Sequence, residues 1–368
     1  MNILITNFHQ KDGGGHTTYI KSIFRSKSNF NFYVASPKTS RLYSDIKTTH
    51  PEKIFELEFP AKLRELSGII KAIFRLKNLV GEYNINIIHA NGSPDHKIAM
   101  LTKLLFHLRV KVLRTKHDSF EIKNNFFTNI LYKKFTEKVV VVSNFQLKKT
   151  IPKNILEKTI LIQNGVNVDY FAPQKKSLRL MKKLGINKDT LILVSNAGTG
   201  LHKGWQFIVE AVSMLEEKQK SSIKILLIGN LINELDFANY IGKFKMEKNV
   251  IFSGFQNDVR DYLALGDIGF VLSHNVETIS FACREMMSMG KPMIVSNYAG
   301  LPENITPGKD GWVVEVGNVM KIFSLLNSID YKNLAKFSKH ARSKSLSIFS
   351  ERIFLKKTMA VYRSILSA

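Results

Sequence analysis

The chain has 368 residues, 44% of them hydrophobic, without enrichment in Pro or Gly, so it is neither disordered nor fibrous and can form two cores of ordinary domain size. Its formal net charge of +24 favours an anionic partner, such as a nucleic acid, a membrane surface or a charged substrate, or else reflects lysine-rich residue usage. The single cysteine, Cys283, excludes an internal disulfide framework and a cysteine metal cluster.

Short apolar segments alternate with helical patterns along the chain, which is typical of parallel, doubly wound sheets. In the first half, the predicted strands are Asn2–Thr6, Phe32–Ser36, Ile54–Phe59, Asn86–Ala90, Val110–Thr115, Lys138–Val142 and Thr159–Gln163. After a break at Asn164–Ser177, a stretch that contains Gly, Asn and Pro, the alternation restarts. In the second half, the predicted strands are Leu191–Asn196, Ile223–Ile228, Val250–Ser253, Ile268–Leu272, Pro292–Ser296 and Trp312–Val316.

The break divides the chain into two predicted domains, residues 1–170 and residues 171–349. We predict an α/β fold in which two Rossmann-like domains face each other across a cleft. The last segment, residues 350–368, is apolar at helical spacing. It needs a surface to cover, and we predict that it packs back on the first domain.

Two loops of the first half follow predicted strands, at the sheet edge where α/β proteins bind ligands. Gly13, Gly14 and Gly15 follow the first strand and allow the backbone to approach a ligand closely; a flexible turn is the alternative interpretation. His117 and Asp118 follow the strand at Val110–Thr115. A histidine in this place can bind a substrate hydroxyl or transfer a proton, although a lone histidine is more often structural.

In the second half, Lys203 lies in a loop between a strand and a helix, where its charge suits a phosphate. Glu277 precedes a helix that we predict over Ile279–Met289, and Glu285 follows eight positions later, inside that helix. The free N–H groups at Ile279–Phe281 form a candidate diphosphate site. The two glutamates are better explained as hydroxyl acceptors at the two ends of one nucleotide sugar than as a glycosidase acid pair.

These motifs resemble those of the family 4 glycosyltransferases, retaining enzymes of the GT-B fold that use nucleotide sugars. The resemblance covers nearly the whole chain and is most specific in the second half. The matching segments, in family order, are "GGGHTTYI", "HD", "VVVVSNF", "LIQNGVNVDYFAP", "HKGW", "KILLIGN" and the long stretch from Val250 to Val314. The family's E-x7-E motif corresponds to Glu277 and Glu285.

The resemblance implies a role for each matching position. Glu277 contacts the donor sugar, Glu285 binds the ribose, and Lys203 neutralises the leaving diphosphate. His117 approaches the sugar from the first domain. The implied catalytic residues are therefore His117, Glu277 and Lys203. The implied donor-binding residues are Gly14, Gly15, Lys203, Gly254, Phe255, Glu277, Thr278, Ile279, Ser280 and Glu285.

Two departures from the family pattern bear on the donor. The family usually has an arginine a few residues before the lysine, whereas Ser195–Gly200 contains no basic residue and His202 is the only nearby candidate. Ile279 and Ser280 replace the usual Phe-Gly. The sugar and the base therefore stay open, with a UDP-sugar favoured and a GDP- or ADP-sugar as alternatives.

Charge development suggests the mechanism that the resemblance implies. Breaking the anomeric bond builds negative charge on the diphosphate, which Lys203 and the helix N-terminus oppose. No carboxylate is placed as a covalent nucleophile, so we favour attack on the same face, with the leaving phosphate accepting the acceptor's proton. The sequence contains no Asp-x-Asp metal motif, and we expect neither a metal nor another cofactor to be required.

The acceptor is less defined. The segment Lys62–Val80 is amphipathic, with Leu63, Leu66, Ile70, Ile73 and Phe74 opposite Lys62, Arg64, Lys71, Arg75 and Lys77. It either binds an anionic membrane or packs on the sheet with a solvated basic face. No signal peptide or membrane span is evident. We expect a cytoplasmic hexosyltransferase, peripheral on the inner face of the plasma membrane, that builds lipopolysaccharide, capsule or another lipid-linked glycan.

Two other classes of protein stay open. A sugar-nucleotide epimerase can share the two-domain architecture, but it is not expected to carry the E-x7-E motif. A nucleic-acid-binding protein would explain the charge, but it should interleave basic and exposed aromatic residues along one face and lack a nucleotide-sugar pocket. We expect no nucleic-acid partner.

Overall fold

The computed structural model describes residues 1–231 and 233–367. Its internal contacts group into two compact units. Unit 1 comprises Met1–Asn164 and the last helix from Ile353 onwards, and unit 2 comprises Gly165–Arg352. The chain thus passes between the units at Asn164 and again near Arg352, a few residues from the boundaries at 170 and 349 that the sequence suggested.

Unit 1 is built on a parallel sheet of seven strands in the described part of the chain, in the order β3-β2-β1-β4-β5-β6-β7. These strands are β1 (Asn2–Thr6), β2 (Asn31–Ser36), β3 (Ile54–Glu56), β4 (Ile85–Ala90), β5 (Lys111–Lys116), β6 (Lys138–Val141) and β7 (Thr159–Leu161). The helices between them are α1 (Gly15–Phe24), α2 (Arg41–Thr49), α3 (Leu66–Glu82), α4 (Ser93–Leu105), α5 (Phe126–Phe135) and α6 (Asn144–Lys149).

Unit 2 repeats this design with a parallel sheet of six described strands in the order β10-β9-β8-β11-β12-β13. They are β8 (Leu191–Ser195), β9 (Ile223–Leu227), β10 (Val250–Phe252), β11 (Ile268–Val271), β12 (Met293–Ser296) and β13 (Gly311–Val314). The accompanying helices are α7 (Leu178–Lys183), α8 (Trp205–Ser213), α9 (Glu217–Ser221), α10 (Glu234–Lys243), α11 (Arg260–Leu265), α12 (Phe281–Ser288), α13 (Val319–Ser328) and α14 (Leu334–Ser347).

The prediction of two Rossmann-like α/β halves is confirmed, and every strand predicted from the sequence is present. The central strands are apolar runs because helices cover both faces of each sheet. The strand predicted at Thr159–Gln163 ends two residues early, at Leu161, and the one predicted at Ile54–Phe59 ends three residues early. It ends at Glu56 because its partner β2 ends at Ser36, which pairs with Glu56.

The last helix, α15 (Glu351–Ser367), contacts the sheet of unit 1. The Tyr362 hydroxyl lies 2.7 Å from Nδ1 of His89 in β4. The ring of Phe354 packs 5.0 Å from that of Tyr19 in α1. None of the helices in the described part of the chain combines the length and the apolar composition that a membrane span needs.

The apolar face predicted for the segment Lys62–Val80 is buried only in part. The helix α3 buries Ala72, Ile73, Leu76, Leu79 and Val80. By contrast, Leu66, Ile70 and Phe74 are 56%, 46% and 54% exposed. The side chain of Leu63, the fifth predicted member, lies outside the described part. The helix thus carries two apolar stripes, and periodicity alone did not show which one meets the core.

Candidate active site

Both sheets reverse their strand order at one point, and loops at such points form the ligand sites of open α/β sheets. In unit 2 the reversal lies between β8 and β11, which pair through Leu193 and Ile268. The loop after β8 carries Lys203, and the loop after β11 carries Glu277. The topology therefore brings together two of the residues that the sequence singled out.

Lys203 and Glu277 form an ion pair, with Lys203 Nζ 3.0 Å from Glu277 Oε2. Lys203 ends a short 3-10 turn, Leu201–Lys203. Gly204 follows in the left-handed region, with φ of 74°, against the backbone of Leu272. A Cβ at Gly204 would lie 1.9 Å from the Leu272 carbonyl oxygen, so only glycine permits this approach. This close packing sets the lysine loop beside the end of β11.

The loop that carries Glu277 has an unusual backbone. Val276 and Ser280 have positive φ values of 45° and 55°, which is rare for residues other than glycine and most of all for a β-branched one. The hydroxyl of Ser273 lies 3.4 Å from Glu277 Oε2, and the N–H of Thr278 donates to Glu277 Oε1 at 3.2 Å. The loop therefore holds the Glu277 carboxylate toward Lys203.

The helix predicted over Ile279–Met289 is α12, and it begins later, at Phe281. Ser280 caps it, because its hydroxyl accepts from the N–H of Cys283 and its positive φ prevents an earlier start. Ile279 precedes the cap and its side chain is buried. In the first helical turn the N–H of Cys283 is thus occupied, whereas those of Phe281 and Ala282 have no partner within the helix. They can bind an anion there.

Glu285 lies inside α12, where the sequence placed it. Asn196, the first residue after β8, donates from Nδ2 to Glu285 Oε2 at 2.7 Å. Burial raises the pKa of the Glu285 carboxyl, and the bond from Asn196 opposes that shift. Within the described residues, Asn196 Oδ1 is buried without a hydrogen-bond partner. Sequence reasoning missed Asn196, because its approach to Glu285 depends on β8 lying beside β11 in the sheet.

Gly254 and Phe255, which the resemblance implies as donor-binding residues, follow β10 at the edge of the sheet, and β9 separates β10 from β8. Phe255 is exposed. The carbonyl of Gly254 accepts from the N–H of Gly229, which follows β9, at 3.1 Å. This bond connects the loops after β9 and β10, the two strands on one side of β8, which precedes the loop that carries Lys203.

In unit 1 the strand order reverses between β1 and β4, and the residues predicted there cluster around His117. Nε2 of His117 lies 3.0 Å from Oδ1 of Asn91, the residue after β4. The carboxylate of Asp118, the next residue, accepts a hydrogen bond from Lys116 Nζ. Burial and the neighbouring His16, in that order, hold the pKa of His117 well below 6.5, so its imidazole is neutral at neutral pH.

The glycine loop also lies beside His117. The ring of His16 packs 4.3 Å from that of His117 and 4.4 Å from that of His9. The helix α1 begins at Gly15, directly after the other two glycines, with Gly14 as its cap. Sequence reasoning missed His9, His16 and Asn91, whose proximity depends on the order of the strands.

Two family models match the chain. The model described as "Glycosyl transferases group 1" matches residues 177–344, and the one described as "Glycosyltransferase Family 4" matches residues 14–170. Together they span most of both units. The UDP-Gal:alpha-D-GlcNAc-diphosphoundecaprenol alpha-1,3-galactosyltransferase of Escherichia coli is 25% identical over 307 residues, which are 79% of this chain and 79% of the relative.

Solved structures show the same architecture. A glycosyltransferase from Rickettsia africae ESF-5 superposes with a TM-score of 0.82 at 23% identity, over 99% of this chain and 98% of that one. HepE of Anabaena, solved with UDP-glucose, gives a TM-score of 0.81 at 17% identity, over 99% of this chain and 100% of that one. At these identities the superpositions show that the fold is shared.

Proposed function

Since this chain belongs to the group 1 glycosyltransferases, with a first half of the family 4 type, and is an enzyme that transfers sugars, we propose a specific reaction for it. The donor is a nucleotide-diphosphate sugar. The acceptor is a hydroxyl group of a glycan or of a lipid-linked glycan. The product contributes to a cell-surface polysaccharide or to lipopolysaccharide.

One observation carries the proposal for the donor site, namely the ion pair between Lys203 and Glu277 beside the first turn of α12. A diphosphate at the N-terminus of α12 would meet the charge of Lys203 and the free N–H groups of the helix. Glu277 would then accept hydrogen bonds from sugar hydroxyls. Glu285 accepts a hydrogen bond from Asn196 at Oε2, and its carboxylate would also bind the ribose.

The base is proposed to be uracil. The name of the Escherichia coli relative, which aligns over 79% of this chain, contains UDP-Gal as the donor. The same name gives GlcNAc-diphosphoundecaprenol as the acceptor of that relative, which supports a lipid-linked glycan as the acceptor here. GDP- and ADP-sugars are the alternatives that the binding experiment below compares.

The proposed mechanism retains the anomeric configuration. The bond between the anomeric carbon and the phosphate oxygen breaks, and its electron pair stays on the phosphate. Lys203 and the N–H groups of α12 stabilise this negative charge. The acceptor oxygen bonds to the anomeric carbon from the same face, and its proton passes to the leaving phosphate. No metal ion or other cofactor takes part in this proposal.

His117 is proposed to bind a hydroxyl of the donor sugar from unit 1. Its neutral imidazole has one donor and one acceptor nitrogen, and the contact between Nε2 and Asn91 Oδ1 orients the ring. Gly14 and Gly15 are proposed to let the start of α1 reach the diphosphate or the acceptor, and His16, the next residue, packs against His117. Both elements belong to the loops at the strand reversal of unit 1.

We further propose that the protein works at the cytoplasmic face of the membrane and attaches through α3. Its exposed stripe of Leu66, Ile70 and Phe74 lies among the exposed basic side chains of Lys71 and Arg75. An apolar stripe flanked by cations suits the interface of an anionic bilayer. The net charge of +24 acts in the same direction.

A thermal-shift panel of UDP-, GDP- and ADP-sugars tests the donor. A ligand at 100 times its Kd should stabilise the protein by about 2.7 kcal/mol. We expect the UDP-sugars to raise Tm most. Determination of the product's anomeric configuration by NMR then tests retention. A protein that responds to no nucleotide sugar, but shifts DNA in a salt-sensitive manner, would contradict the proposed reaction.

A further inference from the structure

Asn304 connects three segments of unit 2 through a side chain that is completely buried. It ends a 3-10 turn, Leu301–Asn304, that follows β12. Its Nδ2 donates to the carbonyl of Ile279 at 2.7 Å and to that of Leu301 at 3.1 Å. Its Oδ1 accepts from Nε of Arg284 in α12 at 2.8 Å. One amide thus ties the turn after β12 to α12 and to the loop before it.

The loop before α12 needs such a restraint. Ser280 has a φ of 55°, and a residue other than glycine stays in this region only when its surroundings hold it there. The hydroxyl of Ser280 holds the loop from the helix side through its bond with the N–H of Cys283. The amide of Asn304 holds it from the other side, through the carbonyl of Ile279, which belongs to the peptide bond with Ser280.

Arg284 determines which way the amide of Asn304 points. A guanidinium has donors and no acceptor, so it can face only the oxygen of an amide. Because Arg284 Nε donates a hydrogen bond to Asn304 Oδ1, the NH₂ group of Asn304 must face the carbonyls of Ile279 and Leu301. Arg284 is itself completely buried, with its guanidinium 4.1 Å from the ring centroid of Phe349. Burial lowers the pKa of Arg284 to about 9, which leaves it charged at neutral pH.

We propose that Asn304 and Arg284 are positioning residues for donor binding. Neither touches the substrate. Arg284 orients the amide of Asn304, and this amide fixes the backbone of Thr278–Ser280, so that the loop and the first turn of α12 meet the β-phosphate and the sugar. The inference rests on the donor site proposed above. It assigns a function to a buried cation and a buried amide outside the E-x7-E glutamates.

The variant Asn304→Asp tests the proposal with little change in shape. Its carboxylate still accepts from Arg284, but its second oxygen now faces the two carbonyls that the NH₂ group bound. Asn249→Asp is the matched control. Asn249 is also buried and also donates from Nδ2 to two carbonyls, those of Lys220 and Ile223, at 2.8 and 3.0 Å. It precedes β10, an edge strand that three strands separate from β12.

Two measurements distinguish positioning from a general loss of stability. The first is amide hydrogen exchange of residues 276–283 in the protein without ligand, which Asn304→Asp should accelerate and Asn249→Asp should not. The second is calorimetric binding of UDP and of UMP. Asn304→Asp should lower the ratio of UDP affinity to UMP affinity about tenfold, the effect of one misplaced hydrogen bond to a charged group, with UMP affinity little changed.

Arg284→Met should produce the same pattern more weakly, because it frees the amide to rotate without placing an acceptor against the carbonyls. The proposal is overturned if Asn304→Asp changes exchange in this loop and the affinity ratio no more than Asn249→Asp does. If the parent protein binds neither UDP nor UMP, the proposed donor fails, and hydrogen exchange alone then decides whether Asn304 holds the loop.

Discussion

Replacing Glu285 by Gln separates recognition of the nucleotide from recognition of the sugar. In the proposed site, Glu285 binds the ribose, which UMP, UDP and a UDP-sugar share, whereas Glu277 binds the sugar alone. Glu285→Gln should therefore lower the affinity for UMP, for UDP and for the UDP-sugar by a similar factor. Glu277→Gln should leave the affinity for UMP and UDP nearly unchanged and should reduce turnover.

The size of the Glu285 effect follows from the bonds it makes. A hydrogen bond to a charged group contributes about 1.5–3 kcal/mol, so loss of the charge should raise Kd roughly tenfold to a hundredfold. Gln keeps an oxygen that can accept from Asn196, which donates at 2.7 Å in the parent protein. The fold should thus lose less stability in Glu285→Gln than in Glu285→Ala, which leaves the Asn196 amide unpaired.

The pH dependence of UMP binding offers a second test of the same residue. The carboxylate, not the acid, accepts the ribose hydroxyls. Because burial raises the pKa of Glu285, protonation in the free protein begins at a higher pH than for an ordinary glutamate. Affinity for UMP should therefore fall as the pH decreases through this raised pKa. Glu285→Gln should show a smaller decrease, since only the phosphate of UMP, with a second pKa of about 6, then takes up a proton.

Isothermal titration calorimetry with UMP and UDP, together with initial rates for the UDP-sugar, makes the comparison. Tm of each variant serves as the control for folding. The reasoning is refuted if Glu277→Gln and Glu285→Gln lose UMP affinity equally, or if Glu285→Gln keeps the parent affinity and the parent pH dependence.

Three further predictions concern the remaining site residues and α3. His117→Ala should reduce turnover strongly and leave UDP affinity unchanged. Because the pKa of His117 is lowered, the rate of the parent protein should not decline near pH 6.5. If the variant turns over like the parent, His117 has a structural role only. Lys203→Met should lower the calorimetric affinity for UDP far more than that for UMP, since the charge of Lys203 is proposed to face the β-phosphate. Equal losses of the two affinities would contradict that placement. Replacing Lys71, Arg75 and Lys77 by Gln should reduce sedimentation with anionic vesicles, most at low salt, where the Debye length is about 30 Å at 0.01 M; unchanged binding would assign α3 to ordinary packing.

The strands were predictable because both faces of a parallel sheet are buried, so each strand is a short apolar run. β6, with its run of valines, is a typical case. The start of α12 was not predictable in the same way. Ser280 has a positive φ, and the distant Asn304 bonds the carbonyl of the preceding Ile279; local propensity contains no information about such a contact.

The prediction for α3 shows a second limit. Its periodicity correctly indicated an amphipathic helix. It could not decide between the stripe of Leu66, Ile70 and Phe74 and the stripe that contains Leu76 and Leu79, because both recur at helical spacing. The choice depends on where α4 and the sheet lie, since α3 packs against both. A buried stripe and an exposed stripe on one helix can be distinguished only from the fold.

The residues of the candidate site also differ in whether local sequence reveals them. Glu277, Glu285 and Lys203 were recognisable because their spacing and their places after strands are local properties of the sequence. Asn196 and Asn304 approach Glu285 and the loop before α12 from other parts of the chain, and only the order of β8, β11 and β12 brings them there. Groups proposed to contact the donor are therefore visible in the sequence, whereas the groups that orient them are visible only in the fold.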